Sequence, residues 1–212
     1  MVAGLPKVGG TKDPDLARIL ELHPDLILMN GEENRREDYE RLAGELPVML
    51  SEPRAVREVP EVVRKIGSIA GAGEAADALA KEIEAAIEEL RRLRSVHPKS
   101  SYRFAYLIWR KPWMAAGRET YVNDLLALGG GLNVVQEPRY PEVSLEALRE
   151  AEVVLLPDEP FPFSEKHIPE IAPFVAEIEL VSGDDACWHG VRTLRGIALA
   201  RSLFEKHAVK TA

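Results

Sequence analysis

A chain of 212 residues with 35 acidic against 27 basic side chains carries a formal charge of -8, which excludes a nucleic-acid backbone as the main partner because that needs a basic surface. One cysteine, Cys187, excludes an internal disulfide and any cysteine-rich metal cluster, and no apolar run approaches the roughly 18 residues that span a bilayer. Hydrophobic content of 46% with 29% charged residues is that of an ordinary globular protein, long enough for one large domain or two lobes.

In chain order, Met1–Lys7 lacks the basic and long apolar regions of an export signal. This leaves two readings, a cytoplasmic protein or a chain whose true beginning lies outside this sequence. Val8–Pro14 is a turn-rich opening, and Asp13 or Asp15 can cap a first helix ending near Leu22. Leu26–Met29 reads as a buried strand and is followed by the polar loop Asn30–Asn34. A charged helix runs from about Arg35 to Ala43, and Leu46–Leu50 is a second strand, with Pro47 suited to its start or to an edge. Val56–Ile69 is helical in pattern and stops near Gly71 and Gly73.

From Glu74 to about Arg94, Leu79, Ile83, Ile87 and Leu90 recur at helical spacing, with Ala76 and Ala86 between them. That is one apolar stripe on a long helix. Ser95–Ser101 marks a boundary. The second half opens with strand Arg103–Ile108 and a loop holding Trp109, Pro112 and Trp113. A helix follows from about Thr120 to Leu128, and Gly129–Gly131 suit a left-handed helix end rather than a phosphate cradle.

Ser144–Ala151 and the apolar run Val153–Leu156 repeat the organisation of Asp15–Leu22 and Leu26–Met29: a capped short helix and then a buried strand. Loop Pro157–Phe163, strand Ile178–Val181 and a final helix from about Val191 to Lys206 complete the chain. Strands separated by helices imply mostly parallel sheets. The expected organisation is an incomplete N-terminal lobe over 1–73, a connecting helix over 74–97 and a C-terminal lobe over 98–212. The first half has nothing before Asp15 to match the strand–loop–helix that precedes the repeat in the second, so the first lobe reads as truncated. The missing strand would leave an open sheet edge and invite a homodimer.

Several segments then carry a resemblance: Val8–Pro14, His23–Leu28, Glu32–Arg35, Ile108–Met114, Arg139–Ser144, Glu159–Phe163 and Trp188–Arg192. In this order they resemble the helical-backbone substrate-binding proteins of ABC importers, the class that includes cobalamin and ferric-siderophore binders. The resemblance implies an α/β fold of two Rossmann-like lobes on one long backbone helix (the class III periplasmic binding protein arrangement), a ligand held in an interlobe cleft, and a periplasmic or otherwise extracytoplasmic location. Family members normally open with a further strand and helix behind an export signal, and this chain has neither.

Trp109, Trp113, Tyr140, Phe161, Phe163 and Trp188 fall in loops at strand ends, where an open α/β sheet edges its ligand crevice. Flat rings with a polar tip suit a corrinoid, haem or aromatic siderophore; the alternative for each ring is sealing a core. With Asn30, Glu32, Arg110 and His189, the rings Trp109, Trp113, Tyr140, Phe161 and Trp188 make the candidate ligand-binding set. Arg110 could meet ligand carboxylates, whereas Arg192 is expected to pair with Asp184 or Asp185. His189 could ligate cobalt or iron, or serve as a hydrogen-bonding cleft histidine. His23, His97, His167 and His207 show no zinc-like spacing or neighbouring carboxylate and are read as surface or capping residues. No metal site is therefore expected.

By the resemblance, one acidic residue per lobe docks on a permease: Glu146 on the second lobe, Glu33 or Glu37 on the first. The expected partners are a metal-chelate small molecule and an ABC permease, with no intrinsic cofactor. No nucleophile elbow, Walker loop or zincin helix occurs, so catalysis is not expected. The alternative function is a truncated cytoplasmic relative serving as an interaction or assembly module, and a tetrapyrrole enzyme or metallochaperone ranks behind it for want of a catalytic constellation.

Overall fold

A computed structural model describes residues 4–209. Two compact units divide the chain, Met1–Glu52 and Pro53–Ala212.

In the first unit, β1 (Gly9–Gly10) and β2 (Asp13–Pro14) form a minimal antiparallel hairpin where the sequence suggests only turns. Helix α1 (Leu16–Glu21) is capped by the Asp15 carboxylate, which accepts from the Arg18 N–H at 2.9 Å. Strand β3 (Ile27–Asn30), helix α2 (Arg36–Ala43) and strand β4 (Val48–Ser51) follow. Pro47 stands just outside β4, where its carbonyl still accepts from the Ile27 N–H. β3 and β4 pair in parallel, and no third strand joins them among the described residues.

The second unit opens with a single 3-10 turn, Val56–Glu58, and then α3 (Val59–Ile69) and α4 (Gly73–Ser95). Ala76, Ala80, Ile83, Ile87 and Leu90 are the buried face of α4, with Leu79 and Ala86 half-covered beside them. That face packs with Tyr121, Leu125, Ile197 and Ala200. Gly67 lets α3 press on α4, since a Cβ there would stand 2.0 Å from the Ala76 Cβ. Arg64 adds ion pairs to Asp77 at 2.9 Å and Glu84 at 2.7 Å. Through these contacts helices α3 and α4 share the core of the second unit.

Strand β5 (Tyr102–Trp109) is central to a five-stranded sheet. One edge carries antiparallel β6 (Met114–Ala115) and parallel β7 (Gly131–Asn133), and between them in sequence lies α5 (Tyr121–Leu128). The other edge carries parallel β8 (Val153–Pro157) and then parallel β9 (Glu177–Val181). All five residues of β8 are buried, as expected of a strand covered on both faces. The second copy of the repeat forms only a 3-10 turn, Glu146–Glu150, with Ser144 Oγ accepting from the Ala147 N–H. Short helices α6 (Ile168–Ile171) and α7 (Gly183–Cys187) flank β9. Helix α8 (Thr193–Leu203) ends in a π turn, Phe204–Ala208, so the final helix is shorter than its sequence pattern suggests. No described helix is long and apolar enough to cross a membrane.

Candidate functional site

The carboxyl ends of β5, β8 and β9 lie at one edge of the second-unit sheet, the position at which open α/β sheets place their ligand loops. From β5 come Trp109, Arg110 and Trp113, from β8 the loop Asp158–Phe163, and from β9, after α7, Trp188 and His189.

Four rings form a continuous series. Trp109 meets Phe161 edge-on at 5.6 Å, Phe161 lies 4.7 Å from Phe163, and Phe163 stacks within 5° of parallel on Trp113 at 6.1 Å. The imidazole of His167 braces both phenylalanines from 5.3 and 5.5 Å. Phe163 is core, Phe161 and Trp113 are half-buried against that core, and Trp109 is 42% exposed. Trp188 is 59% exposed, and its indole N–H donates to the Glu159 carboxylate.

That Trp–Glu pair joins the β8 loop to the end of α7. Asp158 Oδ1 also accepts from the Gly183 N–H at 2.7 Å, and a Cβ on Gly183 would strike Glu159 at 2.4 Å. Only glycine permits this approach. Burial, reinforced by the nearby Asp184 and Asp158 carboxylates and opposed by the Trp188 hydrogen bond, raises the Glu159 pKa above the usual carboxylate value. Glu159 is the member of this face that sequence reasoning misses, although it lies two residues before the selected ring Phe161.

The positive charges are already neutralised. Arg110 binds Glu170 through Nε at 3.0 Å and Nη2 at 2.9 Å and lies over the Trp113 ring. Arg192 pairs with both Asp184 and Asp185, at 2.9 and 3.1 Å, as its sequence neighbours suggest. Tyr140 is half-buried, with the Arg139 guanidinium 5.5 Å from its ring centroid. His189 is edge-on to Tyr121, and burial lowers its pKa, so the imidazole is neutral at pH 7 and offers both a donor and an acceptor nitrogen. Cys187 has the Tyr106 hydroxyl at 3.4 Å.

In the first unit Asn30 builds its own loop. Its Oδ1 accepts from the Glu32 N–H at 2.8 Å, and its backbone N–H donates to Asn34 Oδ1 at 2.8 Å. Glu32 is half-buried there, and Lys12 Nζ donates to its carbonyl. Glu33, Glu37 and Glu146 are all exposed, and Glu33 accepts from the Thr11 hydroxyl.

Two histidines depart from their sequence reading. His167 is a capping residue as expected, its Nδ1 accepting from the Ser164 N–H at 3.1 Å, but it is buried among rings rather than on the surface. His207 is buried and has carboxylate neighbours after all, Glu177 and Glu179, brought to it by the fold from almost thirty residues upstream.

The periplasmic binding protein family is matched over residues 2–156, most of the chain. The chain belongs to this family. It is 24% identical over 161 residues to the vitamin B12-binding protein of Pectobacterium carotovorum subsp. carotovorum (strain PC1), which covers 74% of this chain and 58% of that protein. It is 24% identical over 155 residues to the vitamin B12-binding protein of Vibrio campbellii, covering 71% and 56%. The chain thus spans a little over half the length of the curated relatives it matches. The crystal structure of the periplasmic vitamin B12 binding protein of Vibrio cholerae aligns with a TM-score of 0.81 at 18% identity, over 95% of this chain and 82% of that one. A periplasmic heme binding protein from Pseudomonas aeruginosa aligns with a TM-score of 0.80 at 19% identity, over 98% and 81%. At these identities the shared feature is the fold, the α/β class III periplasmic binding protein architecture expected from the sequence.

Proposed function

We propose that this family member is the substrate-binding component of an ABC importer, working outside the cytoplasmic membrane, and that its cargo is a corrinoid, haem or ferric siderophore. The observation that carries the reading is the pair Trp109 and Trp188, two large exposed rings, one at the end of β5 and the other after β9 and α7. Large rigid rings with a polar edge are the side chains that ligand sites favour for flat cargo. The names of the curated relatives and of the aligned structures point to the same cargo class. Each indole offers a flat apolar face, while Glu159 and neutral His189 supply polar contacts beside them.

A titration of purified protein with cyanocobalamin, haemin and a ferric siderophore, followed by tryptophan quenching and confirmed by calorimetry, tests this directly. A one-to-one complex of micromolar or tighter affinity with one of the three is expected. Silence toward all three would overturn the proposal.

Presentation to the permease completes the reading, with Glu146 as one contact and Glu33 or Glu37 as the other. Glu146 is exposed in the first position of its 3-10 turn, where the local dipole alone also favours an acid. Glu146→Arg should abolish transporter-dependent uptake in reconstituted vesicles and leave ligand affinity within about twofold, the range of a surface change. Loss of ligand affinity in this variant would place Glu146 at the cargo instead.

A further inference from the structure

At the opposite end of the second-unit sheet from Trp109 and Trp188, three potential metal ligands converge. Glu177 and Glu179 alternate along the edge strand β9 and so project from the same face. His207, from the π turn that closes α8, reaches both: Nδ1 stands 3.4 Å from Glu177 Oε2, and Nε2 contacts Glu179 Oε1. One ligand atom from each residue can be chosen so that all lie within 4.8 Å of one another. Four-coordinate zinc with bonds of about 2.0–2.2 Å would draw these atoms to roughly 3.4 Å from one another.

The His207 side chain is 5% exposed, so its imidazole is fixed by the core and not merely resting on the surface. Tyr102 supplies a second observation. It is 1% exposed, its ring lies 5.6 Å from that of His207, and its hydroxyl has no hydrogen-bond partner among the described residues. A buried hydroxyl left this way signals a water or ion at the site.

We propose that Glu177, Glu179 and His207 bind a divalent transition-metal cation of the zinc class, with water in the fourth position and the Tyr102 hydroxyl donating to that water or to Glu179. Two carboxylates and one neutral imidazole form a mixed O/N set that suits zinc and is too poor in oxygen for calcium. Without metal, Lys206 provides the balancing charge: its Nζ lies 3.2 Å from Glu177 and 2.6 Å from Glu179. Lys206 is half-exposed and can swing aside, so metal and ammonium compete for the same carboxylates. The bound cation would fasten the edge strand to the end of the last helix. It does not depend on the cargo proposed above.

Untagged protein is titrated with Zn2+ alone against a chromophoric chelator. One Zn2+ per chain at micromolar affinity or tighter is expected. Glu177→Gln and Glu179→Gln, both at solvent-accessible side chains, should each weaken binding by about tenfold or more. Lys206→Ala should tighten it by removing the competitor, an effect that a misfolded variant could not produce. Trp188→Ala should leave zinc affinity unchanged. Absence of zinc binding below millimolar concentrations, or affinity untouched by both glutamine substitutions, would overturn the site.

Discussion

Trp188→Ala is expected to weaken binding of the cargo identified by titration by about ten- to a hundredfold, or roughly 1.4–2.8 kcal/mol. The side chain is 59% exposed, so its removal costs the fold little, and the loss falls on the complex. Alanine takes away both the flat ring and the indole N–H to Glu159. Trp188→Phe separates the two: if stacking dominates, it retains most of the affinity, whereas if the orientation of Glu159 dominates, it resembles alanine. Trp109→Ala should behave similarly but also removes the edge contact on Phe161. Isothermal calorimetry on the three variants decides the matter, and unchanged affinity in both alanine variants would move the cargo off this face.

Phe104→Ala should destabilise the second unit by about 3–5 kcal/mol, the range for emptying a buried aromatic site. Phe104 is fully buried in β5, where β7 pairs on one side and β8 on the other. It belongs to the buried cluster that also holds Tyr102, Tyr106, Val122, Leu126, Val153 and Leu155. It also lies against Gly131, at which a Cβ would stand 2.8 Å from the ring. The backbone on that side is fixed by β7 pairing and cannot collapse into the space. At about 2–4 °C per kcal/mol for a chain of this size, the melting temperature should fall by roughly 6–20 °C. A fall of under about 2 °C by calorimetry would mean that the sheet repacks.

Much of this architecture is written locally. The long helix is legible because its apolar residues recur at helical spacing, and β8 because the four apolar residues Val153–Leu156 run together without a break. The loops after β5 and β8 are legible as strand ends, since each follows such a run. The π turn at Phe204–Ala208 and the two- and three-residue strands β6 and β7 are not, because so few residues carry no periodicity. Gly129–Gly131 illustrate the mixture. The helix end is readable, and Gly130 does adopt a left-handed φ of 82°, but the role of Gly131 as a floor for Phe104 needs the register of β5 and β7. Glu159 went unselected because its partner, Trp188, lies 29 residues away. His207 acquires carboxylate neighbours only when β9 is laid along β8 and α8 returns the chain to it. The boundary at residue 52 depends on which core α3 joins, and an amphipathic helix does not name its partner.

The ring series from Trp113 through Phe163 and Phe161 to Trp109 has a consequence for kinetics. Each ring is held by the next, and the series runs through the buried Phe163, which His167 braces. A ligand arriving at Trp109 therefore meets a surface whose rotamers are already chosen, avoiding the roughly 0.5–1.5 kcal/mol that freezing each mobile side chain would cost. Selection among cargoes would then be made at departure rather than arrival, by how long a flat face of the wrong outline can remain on a surface that does not adjust to it.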